Sequence, residues 1–231
     1  MIKKIDKLNT IYNGIIKVDE SIQNEIKNNW KEFIKDKNPN DFFDGDIYCV
    51  TNIDDSKPSI NFSKTKYSYM IYAKITKKII IRSLFSAGYI RTSDNYICII
   101  LNNRNELNAI GGMASNEDIK DNKFDYNNCI IREIKEELGI NIKNNPNFKL
   151  TLKYLKYPNN DDLKKTYYPV GTLYEMNTKY TKEELISLYN KKEHDSEVKE
   201  LMFYNNDNYK DIYAYDKKTE YLDELTRILF E

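Results

Sequence analysis

Apolar residues recur with a helical period between Asp19 and Lys35, where Ile22, Ile26, Trp30 and Phe33 stand at i, i+4, i+8 and i+11. Asp19 or Ser21 is the expected N-cap and Asn38-Pro39-Asn40 the expected stop, so this pattern predicts a helix packed on the body through one stripe. Strand-like runs follow at Asp46 to Ile53, at Lys66 to Thr76 with alternation at Tyr67, Tyr69, Ile71 and Ala73, and at Ile79-Ile80-Ile81. Ala87 to Thr92, a turn at Ser93-Asp94-Asn95, and Tyr96 to Leu101 predict a hairpin, with Arg104 just beyond it. Asn108-Ala109-Ile110 then leads into Gly111-Gly112, a pair that permits positive φ and close approach of backbone to a ligand, or simply a turn.

The next periodic segment carries the chemistry. Asp125 is a good N-cap and Gly139 a good C′ residue with Ile140 to close the end, which predicts a helix between them. Ile130, Ile131, Ile134 and Leu138 gather on one face, while Glu133, Glu136 and Glu137, at i, i+3 and i+4, share a neighbouring one. Like charges at this spacing repel by roughly 0.2–0.5 kcal/mol per pair. A divalent cation is the natural compensation, and oxygen-only donors suit Mg²⁺ first and Mn²⁺ second. Arg132, four residues before Glu136, can orient the acids or merely pair with them at the surface.

Beyond the helix, Phe148 to Tyr157 and Thr166 to Met176 predict two long strands around a polar turn, Asn159-Asn160-Asp161-Asp162. Thr181 and Glu184 form a capping box for a helix to Lys191, Val198 to Tyr204 predicts a strand, and Lys217 to Phe230 a closing helix with Tyr221, Leu222, Leu225, Ile228 and Leu229 on its buried side.

Composition narrows the function classes. With 231 residues, 40% of them hydrophobic and no run of eighteen apolar residues, no membrane span is expected, and the basic N-terminus lacks the apolar stretch of a secretory signal. The expected location is the cytoplasm. Lys+Arg and Asp+Glu balance at 36 each, so nucleic acid is not an expected partner. Cys49, Cys98 and Cys129, odd in number and unpaired in spacing, point to neither a disulfide framework nor a zinc site.

Arg132-Glu133-Ile134-Lys135-Glu136-Glu137-Leu138-Gly139-Ile140 matches the second half of the Nudix box, and Gly111-Gly112 stands where that family's glycine pair opens it. The chain therefore resembles a Nudix hydrolase. Asn38-Pro39 and Phe42-Phe43-Asp44-Gly45-Asp46 resemble, in form, the extension that precedes the box in relatives of UDP-sugar pyrophosphatases. The family pattern departs in two places. The Glu expected eight residues before the Arg is Phe124, and Gly112 lies twenty residues before Arg132 instead of fourteen, so the Met113 to Lys123 loop is longer than usual by six. That puts in doubt the buried partner of Arg132 and one outer metal contact; Glu117, Asp118 and Asp121 in the loop are the candidates to compensate.

The resemblance implies an α/β (α+β) fold, a Nudix-type α/β/α sandwich with a mixed sheet, over residues 86–231, preceded by an N-terminal α/β extension over residues 1–85. It implies Mg²⁺- or Mn²⁺-dependent hydrolysis of a diphosphate linkage in a nucleoside diphosphate derivative such as an NDP-sugar, ADP-ribose or a dinucleotide. Glu133, Glu136 and Glu137 would ligate the metal; Glu136, Glu137 and Arg132 would serve catalysis; Gly111, Gly112 and Arg104 would meet the substrate. Glu193, His194, Asp195 and Glu197, ahead of the Val198 strand, are candidates for the base. Two other readings stand beside this one: a hydrolase of capped or 5′-phosphorylated RNA, and a Nudix-fold nucleotide-binding module that has lost catalysis. A homodimer is an allowed assembly.

Overall fold

A computed structural model describes residues 1–38, 43–54, 57–159, 164–191, 193 and 197–231. In order the elements are β1 (Ile2–Lys4), β2 (Asn9–Ile15), α1 (Glu20–Ile34), β3 (Asp46–Asp54), β4 (Ser59–Lys66), α2 (Tyr67–Thr76), β5 (Leu84–Arg91), β6 (Ile97–Asn102), β7 (Leu107–Asn108) and β8 (Ile110–Met113). Then follow β9 (Ile119–Lys120), β10 (Lys123–Phe124), α3 (Tyr126–Leu138), β11 (Phe148–Lys156), β12 (Val170–Thr178), α4 (Lys182–Asn190), β13 (Val198–Tyr204) and α5 (Leu222–Phe230).

The central sheet is mixed, eight-stranded and ordered β1-β11-β12-β5-β6-β13, with β7 beside β6 and β8 beside β5. Both its faces are covered, which is why β6 reads as an unbroken apolar run. Cys98 and Ile100 point to the side of α3, packing with Ile130, Ile134 and Leu138, while Ile97 and Ile99 point to the side of α5, packing with Leu222 and Leu225. Each such buried aliphatic side chain contributes roughly 1.5–3 kcal/mol. The result is the expected α/β/α arrangement.

Along β5 the neighbour changes: Ile90 and Arg91 pair with β6, but Phe85 to Gly88 pair with β8, Ala87 opposite Gly111 and Ser86 opposite Gly112. A second sheet, β2-β4-β3, packs on the central one through Phe62, Tyr48 and Ile60 together with Phe124, Leu84 and Tyr168. β1 leaves this N-terminal part to pair with β11.

Several sequence expectations need correction. The segment Lys66 to Thr76 is not a strand; β4 ends at Lys66 and α2 begins at Tyr67. Its alternation was only apparent, because Met70 and Tyr72 between the counted positions are apolar too, and the burial of Ser68, Met70, Ile71, Tyr72 and Ala73 wraps around a helix. α1 packs its Trp30 edge-on against Tyr67 of α2, with ring centroids 6.0 Å apart. Ile79-Ile80-Ile81 forms no strand beyond an isolated bridge from Ile81 to Tyr167. The β12 ladder starts at Val170 rather than Thr166, directly after Pro169, which has no N–H to donate. The last helix starts at Leu222, not Lys217: Leu107 N donates to Lys217 O and Thr219 N to Leu107 O, so residues 217–219 run extended beside β7. Ile228, expected on its buried side, is exposed. Strands β2 and β4 had no counterpart in the sequence reading. Pro39, Asn40 and Phe42, and Asn160, Asp161 and Asp162 of the expected turn, lie outside the described residues. No helix among the described residues is long and apolar enough to cross a membrane.

Candidate functional site

Helix α3 begins where the Asp125 side chain accepts the Asn128 backbone N–H at 2.9 Å and ends at Gly139, whose φ of 66° is left-handed. Between these caps Ile130, Ile134 and Leu138 are wholly buried, and this seating turns Glu133 and Glu137 toward β8. Glu137 Oε2 accepts the Gly111 backbone N–H at 2.8 Å. Glu133 lies against Gly112, where a Cβ would come within 2.5 Å of its carboxylate oxygen and the acid would have to shift. Gly111 adopts a φ of 141° as well, so the glycine pair is explained by backbone conformation at one position and by side-chain clearance at the next.

Arg132 is the hub of the cluster. Its Nη1 donates to Glu136 at 2.7 Å, and its Nη2 to Asp118 at 2.9 Å and to Met113 O at 3.1 Å. Glu133 Oε1 lies 2.8 Å from the same Nη2. The Nε is buried without a hydrogen-bond partner. With a side chain only 17% exposed, Arg132 is no ordinary surface pair. Of the three loop acids, the structure brings Asp118 alone into the site. Glu117 is exposed, and Asp121 is spent on a two-residue hairpin turn with Asn122, both at positive φ, between β9 and β10. Phe124 is buried, stacked edge-on against Phe62 and Tyr126, so its position cannot supply an acid.

Burial sets the electrostatics. It pushes Glu137 up to about 9, with the charges of Glu133 and Glu197 acting in the same direction and the Gly111 N–H against it. It also raises Glu133, where Arg132 opposes it and Glu136 adds to it. Burial works against ionised Asp118 too, but there the Arg132 hydrogen bond and the Ser115 backbone N–H outweigh it and hold the carboxyl below its ordinary value. Cys129 is a buried packing residue whose thiol burial pushes upward.

A cleft of about 240 Å³ opens where β6 and β7 diverge from β8. Glu137, Gly111 and Gly112 form one wall, Asn102, Arg104, Asn108 and Glu197 supply its polar groups, and Phe85, Tyr167 and Tyr221 its aromatic ones. The candidate residues thus divide: Glu137, both glycines and Arg104 border the cleft, while Glu133 and Glu136 are drawn to Arg132 behind it. Arg104 is exposed and lies 3.3 Å from Glu106. Among the loop candidates for a base, Glu197 lines the cleft, Glu193 is exposed and does not line it, and His194 and Asp195 lie outside the described residues. Asn102, Asn108, Tyr167 and Tyr221 were not among the residues expected at the site, because only the tertiary fold brings these distant segments to one cleft. Among the described residues no three acids, histidines or cysteines are gathered in metal-holding geometry. The donor chemistry nonetheless suits a hard cation: three carboxylates on one helix face, two of them buried so that ionisation needs a nearby positive charge.

Among solved structures the chain is similar to DR0079 from Deinococcus radiodurans, at 14% identity and a TM-score of 0.51 over 80% of this chain and 99% of that one. It is also similar to a NUDIX-family hydrolase from Clostridium perfringens, at 19% identity and a TM-score of 0.38 over 65% of this chain and 97% of that one. A third is the NUDIX domain of NrtR from Shewanella oneidensis, solved with ADP ribose, at 9% identity and a TM-score of 0.40 over 71% and 97% of the two chains. No protein-family model and no curated protein matches the sequence. At 14% identity, what the chain shares with DR0079 is the fold. In its fold the chain is similar to DR0079, and in the spacing of the α3 acids it resembles the Nudix hydrolases.

Proposed function

We propose that this protein is a Nudix-type hydrolase that cleaves the diphosphate linkage of a nucleoside diphosphate derivative, an NDP-sugar, ADP-ribose or a dinucleotide, with Mg²⁺ or Mn²⁺. The observation that carries the reading is Glu137, a carboxylate buried against the Gly111 N–H at the wall of a polar and aromatic cleft, on the same helix face as Glu133 and Glu136. When bound, the cation supplies positive charge to the phosphate oxygens and makes a coordinated water more acidic. Glu133, Glu136 and Glu137 would hold it. Gly111 and Gly112 let the substrate approach the β8 backbone, Arg104 meets phosphate charge at the rim, and Tyr167 and Tyr221 offer apolar faces to a base or sugar. Glu197, across the cleft, accepts the proton of the attacking water. Residues 1–85 act as an extension that braces the site, and the protein works in the cytoplasm.

A second reading is favoured by one feature: Arg132 already occupies Glu133 and Glu136. If it keeps them, the chain binds a nucleotide without cleaving it. A panel of NDP-sugars, ADP-ribose, dinucleotides, nucleoside triphosphates and capped RNA, assayed with Mg²⁺ or Mn²⁺, separates the two. Hydrolysis of a diphosphate derivative is expected, reduced at least about 10³-fold in the Glu136→Gln, Glu137→Gln double variant. No metal-dependent product above that variant's background would replace the hydrolase with the binding module, and cleavage confined to capped RNA would move the substrate class.

A further inference from the structure

Asp118 has no exposed surface, and each of its oxygens is engaged. Oδ2 accepts from the Ser115 N–H at 2.9 Å, the Ser115 hydroxyl at 3.1 Å and Arg132 Nη2 at 2.9 Å, while Oδ1 accepts from Asn128 Nδ2 at 2.9 Å. A carboxylate so placed is fixed, since leaving would strand it unpaired in the interior. Glu136, on the other Arg132 nitrogen, is 42% exposed and can swing away at little cost.

The loop that carries Asp118 is itself tied to the N-terminal sheet. Tyr48 on β3 donates its hydroxyl to Asn116 Oδ1 at 2.9 Å, and Asn116 Nδ2 donates to Asp46 at 3.3 Å. Asp46 is anchored in turn by Lys64 and Lys66. At the far end of the loop, Phe124 N donates to Thr10 Oγ1 at 2.9 Å. Thus the single 3-10 turn Asn116–Asp118 joins a sheet outside the central one to the arginine of the acidic helix.

We infer that Asp118 is a positioning residue, the fixed counter-charge of Arg132: it holds the guanidinium while Glu133 and Glu136 turn from it to a cation, and the N-terminal sheet sets its place through Asn116. The inference deepens the hydrolase reading and rests on its metal site. Three carboxylates compete for one guanidinium; only with Asp118 permanently on it does the release of the other two leave no bare buried charge.

The test measures Mn²⁺ affinity by calorimetry, and the mobility of the Arg132 guanidinium by NMR of the metal-free full chain, in Asp118→Asn, Asp118→Glu, Tyr48→Phe and Asn116→Ala. Asp118→Asn is expected to lose about tenfold or more in Mn²⁺ affinity and to mobilise Arg132, with Asp118→Glu recovering most of both. Tyr48→Phe and Asn116→Ala should lose roughly threefold at an unchanged melting temperature. Wild-type affinity with an immobile Arg132 in Asp118→Asn would overturn the inference. If Asp118→Asn does not fold, the two tether variants decide, and wild-type values in both would overturn it. Should the wild type bind no Mn²⁺, the hydrolase reading falls and the NMR measurement alone judges Asp118: an Arg132 unmoved by Asp118→Asn would overturn the positioning role.

Discussion

Helix α3 and the loop before it contribute side by side to one charge cluster, yet they are specified in opposite ways. In α3 the caps and one ion pair are local: the Asp125 cap reaches Asn128, Arg132 reaches Glu136 at i+4, and Gly139 ends the helix at a φ of 66°. In the loop the Ser115–Asp118 and Asp121-Asn122 turns are local, but the contacts that tie it to the rest of the molecule are not. Asp118 meets its partner fourteen residues on, Asn116 meets Tyr48 at a separation of 68, and Phe124 meets Thr10 at a separation of 114. The contrast shows that a helix set by its own spacing can take its fixed counter-acid from a distant segment. Phe124 joins the apolar seam with Phe62, and the acid comes in from the lengthened loop.

The largest expected effect breaks the pair at the junction of the two regions. Arg132→Ala leaves Asp118 buried with its main counter-charge gone and should cost about 3–5 kcal/mol, whereas Glu117→Ala and Asp121→Asn, which keeps a residue tolerant of positive φ, should stay within roughly 0.5 kcal/mol. Urea unfolding of the three variants checks this. Equal midpoints for Arg132→Ala and the wild type would mean that the guanidinium does not neutralise Asp118.

A smaller effect sharpens the helix side. Glu137 holds its proton to about 9 in the folded chain, against an ordinary 4.5. Its contribution to stability is therefore whole below about 4.5 and is lost as pH rises toward 9, because the unfolded chain gives up that proton first. Relative to Glu137→Gln, the metal-free wild type should lose stability across that window, by of order 1 kcal/mol per pH unit at most. Parallel pH profiles for the two proteins would show that Glu137 ionises freely. The smallest effect belongs to the loop: Asn122→Gly relieves a positive φ of 59° and should stabilise by a few tenths of a kcal/mol without moving the Arg132 contacts. A loss of stability would show that the Asn122 side chain holds the hairpin.

Legibility followed range. The caps of α3 and α4, the β13 strand and the acidic face depend on residues within four positions of one another, and sequence spacing showed them. The run from Tyr67 to Ala73 misled because it is apolar on every side, and a buried helix and a buried strand then look alike. Residues 217–219 misled differently: their partner is Leu107, and no local pattern announces a bridge so distant.

By itself the sequence determined the acidic helix and its caps, since these follow from helical geometry, while the resemblance to the Nudix box singled out the glycine pair and the departure at Phe124. Tertiary structure alone decided which loop acid enters, that Glu137 faces the cleft while Glu133 and Glu136 face Arg132, and which aromatic and amide groups line the cleft with Glu197. Those choices depend on desolvation, on how the strands diverge and on contacts between distant segments, and none of these is a property of neighbouring residues.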